Sequence, residues 1–108
     1  MKNHLQLWTT DLATGFGARF DELAATDSVA FFKTVPGCVG AVFSRSEKKG
    51  YVLTAWTDEA SAAAASTSQA YGEAVQRIVK SGVMAGEQSL ESLTVSGRFF
   101  AAAPAFQL

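Results

Sequence analysis

The chain is short of the residues on which several kinds of chemistry depend. It carries 1 Cys and 1 His in 108 residues. One thiol excludes an intrachain disulfide, and with no Cys/His cluster no zinc site can be assembled. So sparse a use of cysteine fits a reducing compartment, and a cytoplasmic protein is expected. Lys and Arg number 9 against 10 Asp and Glu, a formal net charge of -1. That balance argues against a protein built to hold nucleic acid, whose phosphates call for a basic face. No apolar run approaches the roughly 18–20 residues that cross a bilayer. Near the start, Lys2 is followed by Asn3, His4 and Gln6 where an export signal needs unbroken apolar sequence. No membrane partner is expected. A phosphate-binding glycine loop, a paired-carboxylate motif and a nucleophile elbow are missing as well.

What is present is globular. Hydrophobic residues make up 48% and charged residues 18%. A single domain spanning residues 1–108 is expected, able to bury roughly two-thirds of the surface of its unfolded chain. His4–Leu12 is rich in strand formers, with Leu5 and Leu7 on one face and His4, Gln6 and Trp8 on the other. The glycines of Ala13–Gly17 break it. Phe20, Leu23 and Ala24 then recur at helical spacing. A break is expected near Thr26–Asp27, with Asp27 or Ser28 capping a second stretch that carries Val29, Phe31, Phe32 and Val35. Pro36-Gly37 ends it.

Cys38–Ser46 and Tyr51–Thr57 read as two strands of an antiparallel hairpin around Glu47-Lys48-Lys49-Gly50. Arg45, Lys48 and Lys49 are expected to form a solvated basic cluster there. Asp58 can cap a second helical region, with Glu59 in its first turn. A restart is expected at Ser66-Thr67-Ser68. Beyond it Tyr71, Ala74, Val75, Ile78 and Val79 form one apolar stripe, which Gly82 can end. Gly86 reads as loop, Ser89–Gly97 as a fourth strand, and Phe99–Leu108 as an apolar tail. The order β-α-β-β-α-β predicts the ferredoxin-like α+β arrangement, a four-stranded antiparallel sheet with two helices on one face.

The strands are apolar on both faces. In the third, Tyr51, Leu53 and Ala55 oppose Val52, Thr54 and Trp56; in the second, Val39, Ala41 and Phe43 oppose Cys38 and Val42. Two helices cover one face, and large bare apolar patches are rare on soluble monomers. A second copy of the same sheet is the simplest cover, giving a homodimer with Leu53 or its face-mates in the interface. The C-terminal tail folding over that face is the alternative.

Val35-Pro36-Gly37-Cys38-Val39-Gly40-Ala41 resembles the "PG-x-x-G" approach to the second strand in antibiotic biosynthesis monooxygenase-like domains, of the dimeric α+β barrel superfamily. Tyr51–Ala60 is similar to that family's strand ending in Trp, followed by a polar capping segment and then Ala. Ser68-Gln69-Ala70-Tyr71 is similar to its second-helix restart. The resemblance covers roughly Leu5 to Val95. It implies two sheets packed face to face across a dimer and a pocket between sheet and helices in each subunit. Some members oxygenate polycyclic aromatic compounds without a cofactor, others degrade haem, and many have no established activity. The expectation for this chain is the first activity, with no cofactor, on a small aromatic ligand. A non-catalytic binding or structural dimer is the alternative.

On the family's pattern Trp56 projects toward the helices and lines the pocket. The alternative is a core Trp whose N–H is satisfied by backbone. Trp8, Gln6 and His4 join the pocket if their face of the first strand meets the helices. His4 is the one side chain here that ordinarily titrates near neutrality. Tyr71 can offer a phenol, and Phe32, beside Phe31, is core or pocket wall. Substrate-binding residues are thus expected at Trp56, Trp8, Tyr71, His4 and Phe32. Cys38, with no His or Asn framework around it, is read as structural. Haem degradation is not expected, because Ser68–Val75 lacks the His that haem-degrading relatives carry on this helix.

Overall fold

β1 (His4–Leu12) is the strand around which the others assemble, in a computed structural model described here over residues 3–101. It pairs antiparallel with β3 (Lys49–Trp56) on one side and β4 (Met84–Thr94) on the other. β2 (Cys38–Arg45) completes the hairpin with β3, so the sheet order is β2-β3-β1-β4. α1 (Gly17–Leu23) and α2 (Val29–Lys33) connect β1 to β2; α3 (Glu59–Ser66) and α4 (Gln69–Ser81) connect β3 to β4. This is the ferredoxin-like α+β architecture.

Residues directly opposite one another in a sheet share a face. Registers therefore resolve the helix-covered face into rows. One row runs Phe43, Val52, Trp8 and Leu90; the next runs Ala41, Thr54, Gln6 and Ser92; the last runs Cys38, Trp56, His4 and Thr94. Cys38 stands on the same face as Ala41 and Phe43, not opposite them as strict alternation predicts. The register shifts between Cys38 and Gly40, and that bulge reverses the phase.

The break expected near Thr26–Asp27 is a π turn over Ala24–Ser28 that joins α1 to α2 without interruption. Ser28 keeps helical dihedrals and its side chain caps nothing, since the preceding turn already supplies hydrogen-bond partners. The cap expected at Asp58 forms, and Ser68 caps α4 at the expected restart. Asp58 accepts a hydrogen bond from the Ser61 N–H at 2.7 Å, which holds its carboxyl below the ordinary value, and Ser68 accepts from the Tyr71 N–H at 3.2 Å. Gly82, at φ 82°, ends α4 in the left-handed conformation a glycine accepts freely.

β4 begins at Met84, ahead of the Ser89 start that alternation suggests. The register slips between Thr10 and Asp11, leaving Gly86 and Glu87 as extra residues. Gly86 sits at φ 52°, a Cβ there would run into the Asp11 carboxylate, and Asp11 accepts the Glu87 N–H at 3.1 Å. A bulge of this kind destroys the alternation by which a strand is read. Of the tail read over Phe99–Leu108, residues 102–108 lie outside the described residues; Phe99 and Phe100 are exposed.

Arg45 leaves the expected basic cluster. Its guanidinium grips Asp21 of α1 with two bonds of 2.7 and 2.9 Å, lowering the Asp21 carboxyl and tying β2 to the first helical layer. Arg77 bonds both oxygens of Asp27 at 3.1 Å, fastening α4 to the π turn. On the uncovered face Leu5, Leu7, Val42, Leu53 and Leu93 are half-buried.

Candidate functional site

α4 carries the clearest apolar stripe in the sequence, yet none of its residues is fully buried, and Val75 and Val79 remain 41% and 47% exposed. Beneath it lies a void, which Tyr71, Ala74, Val75 and Ile78 line and Val79 does not. A cavity of about 280 Å³ lies between the sheet and the helices. Its floor is the apolar row of Phe43, Val52, Trp8 and Leu90, followed by Thr54 and Gln6 from the next row. Its roof comes from both helical layers. Leu23, Ala24, Ser28, Phe31 and Phe32 contribute from the first; Tyr71, Ala74, Val75 and Ile78 contribute from α4. The π turn matters here, because Ala24 and Ser28 of that turn face the cavity.

The aromatic side chains form a connected wall. Phe31 and Phe32 meet edge-to-face with centroids 5.2 Å apart, and Tyr71 stands 6.0 Å from Phe31 and 6.3 Å from Phe32. Phe43 extends the wall at 6.0 Å from Phe32. Among the described residues no charged side chain lines the cavity. Its polar groups are Gln6, Ser28, Thr54, Tyr71 and Gln88. Gln88 is occupied: its amide N–H donates to the Thr10 hydroxyl at 3.1 Å and to the carbonyls of Ala85 and Gly86 at 3.2 Å. Burial raises the Tyr71 phenol above its ordinary value, so it stays neutral and able to donate at neutral pH.

Three of the expected residues, Trp8, Tyr71 and Phe32, border this cavity together. Trp56 and His4 stand one row away and are not among its lining residues. The physical reason is α3. Its small residues Ala62 and Ala65 let that helix lie close on the indole of Trp56, which is 1% exposed, and Phe32, Val35 and Cys38 pack around the cluster. The Trp56 N–H is satisfied by a side chain and not by backbone: it donates to the Thr54 hydroxyl at 2.8 Å. His4, opposite Trp56, is 8% exposed, and its buried Nε2 has no hydrogen-bond partner among the described residues. Cys38 is free; burial raises its thiol, and its S–H donates to the Gly40 carbonyl. A protonated thiol is a poor nucleophile. Sequence reasoning passed over Thr54, although a hydroxyl between Val52 and Trp56 on a buried strand face was the available signal.

Among the described residues no group of three or more His, Cys, Asp or Glu comes together to hold a metal ion. No helix among them is long and apolar enough to cross a membrane. What the arrangement offers is a mostly apolar, aromatic-walled space with a few neutral hydrogen-bonding groups, suited to an uncharged flat molecule.

Sheet order and helix placement give the fold of antibiotic biosynthesis monooxygenase-like domains. No protein-family model and no curated protein matches the sequence. Solved structures do match. SnoaB, a cofactor-independent oxygenase from Streptomyces nogalater, superposes with a TM-score of 0.73 at 16% identity, covering 91% of this chain and 97% of that one. A monooxygenase of Streptomyces coelicolor, in complex with the ligand nanaomycin D, gives a TM-score of 0.74 at 14% identity, covering 94% of both chains. A protein of unknown function from Nitrosomonas europaea gives 0.75 at 13% identity, covering 95% of this chain and 98% of that one. At such identities the likeness is one of fold, and fold alone does not fix activity.

Proposed function

We propose that this protein is a cofactor-independent, monooxygenase-like enzyme for a small uncharged aromatic compound held between sheet and helices. The observation that carries the reading is the uncharged cavity of about 280 Å³ with Trp8, Phe31, Phe32, Phe43 and Tyr71 in its walls. Oxygenase and monooxygenase structures of the same fold lend it support. An electron-rich ring can supply every electron that oxygen requires. 1-Naphthol plus O2 gives 1,4-naphthoquinone plus water: one oxygen atom enters the ring, the other leaves as water, and the ring loses four electrons. The protein's part in such a step is to hold the ring, exclude bulk water and polarise the phenol. Trp8, Phe32 and Tyr71 are the residues proposed to bind it. Trp56 and His4 are proposed to support the site from the next row.

We further propose a homodimer formed through the uncovered sheet face. The half-buried Leu5, Leu7, Val42, Leu53 and Leu93 support it, since a patch of this kind is covered in most soluble proteins.

A second reading, a binding protein without turnover, also has an observation behind it. Among the described residues Tyr71 is the only titratable side chain in the cavity wall, and burial raises its phenol, so none of them offers a general base there at neutral pH. Oxygen uptake with 1-naphthol separates the two. The enzyme reading predicts uptake of equal moles of O2 and naphthol, abolished when Ala74→Phe fills the cavity. Binding of 1-naphthol with no uptake above the protein-free rate favours the second reading.

A further inference from the structure

Resting on the reading of the cavity as a ligand site, we infer that Thr54 is its polar anchor, donating a hydrogen bond to an oxygen acceptor on the bound ring. Trp56 acts through it as a positioning residue. Thr54 lines the cavity and is only 5% exposed. Its hydroxyl oxygen accepts the Trp56 N–H at 2.8 Å, which takes up one lone pair and fixes where the remaining lone pair and the proton can point. Among the described residues nothing accepts that proton. Trp56 itself cannot turn away, because it is 1% exposed and clasped by Ala62 and Ala65.

A donor hydroxyl only 5% exposed, at the edge of a mostly apolar cavity, gains a hydrogen bond from an incoming acceptor. Gln6 faces Thr54 directly across β1 and β3, also lines the cavity, and its side-chain amide has no partner among the described residues. The two form a neutral polar end to a cavity whose next row, Phe43, Val52, Trp8 and Leu90, is apolar or aromatic. The matching ligand is a fused-ring compound with a carbonyl or comparable neutral oxygen at one end. An ionised carboxylate is disfavoured, since among the described residues no cationic side chain lines the cavity to compensate it.

The test compares two probes of equal shape by calorimetric titration: 1-tetralone, with a carbonyl, and tetralin, without one. Thr54→Val should weaken 1-tetralone about tenfold and leave tetralin within about twofold, whereas Thr54→Ser should retain 1-tetralone binding. Trp56→Phe, which frees the hydroxyl to rotate, should weaken 1-tetralone by a smaller factor and spare tetralin. Should Thr54→Val alone fail to fold because it strands the Trp56 N–H, the double variant Thr54→Val/Trp56→Phe removes both partners and must show the same selective loss. Equal losses for both probes, or none for either, overturn the assignment of Thr54 while leaving the cavity as a binding site. A wild-type protein that binds neither probe overturns the cavity reading and the assignment with it.

Discussion

Trp56 donates its indole N–H to the hydroxyl of Thr54 at 2.8 Å, two residues back on the same face of the same strand. One of the pair lines the cavity and the other does not. Their substitutions should therefore behave differently. Trp56→Ala empties a site that is 1% exposed and should cost about 3–5 kcal/mol in urea denaturation, the range for large-to-small changes at a buried aromatic. Trp56→Phe keeps most of the volume and should cost far less. A loss for Trp56→Ala below about 1 kcal/mol would contradict the core placement.

Tyr71 gives an alkaline signature. Its folded value is raised by burial, so the folded protein keeps the phenol proton where the unfolded chain has lost it. The sign follows from linkage. The stabilisation is complete below the unfolded value of about 10 and declines as pH rises toward the folded value. Wild-type stability should therefore fall more steeply above about pH 10 than that of Tyr71→Phe. Parallel slopes for the two proteins in denaturation curves from pH 8.5 to 11 would refute this.

The uncovered face predicts the assembly state. Light scattering at micromolar concentration should give twice the chain mass of 11.4 kDa for the wild type. Leu53→Glu, which places a charge among half-buried leucines, should shift it to the single-chain mass. A wild-type species at 11.4 kDa would sink the dimer proposal.

The parts of the fold governed by regular periodicity were legible in the sequence. β1 has the bounds its alternation predicts, the cap expected at Asp58 forms, and the restart expected at Ser66-Thr67-Ser68 falls between α3 and α4. Irregularities were not legible, because each replaces one period with another. The bulge at Gly86-Glu87 read as loop, the bulge after Cys38 reversed which face that residue takes, and the π turn at Ala24–Ser28 read as a break with a cap. For the site, alternation placed Gln6 with Trp8 on one strand and Thr54 with Trp56 on another; that the two faces coincide comes from the register. Where the cavity stops along that face was not legible. That boundary depends on how closely the Ala-rich α3 settles on Trp56, a matter of tertiary packing.

The central claim is that the space between sheet and helices holds an uncharged aromatic ligand. The most direct measurement uses the chain's 2 tryptophans, of which Trp8 borders the cavity and Trp56 does not. In the Trp56→Phe protein the remaining emission comes from Trp8. Titration with 1-nitronaphthalene, a neutral two-ring quencher, should quench it saturably with one site per chain. Naphthalene-1-sulfonate should fail to compete, and adding Ala74→Phe should abolish the saturable phase. Quenching that rises linearly without saturation, or that survives Ala74→Phe unchanged, would contradict the account.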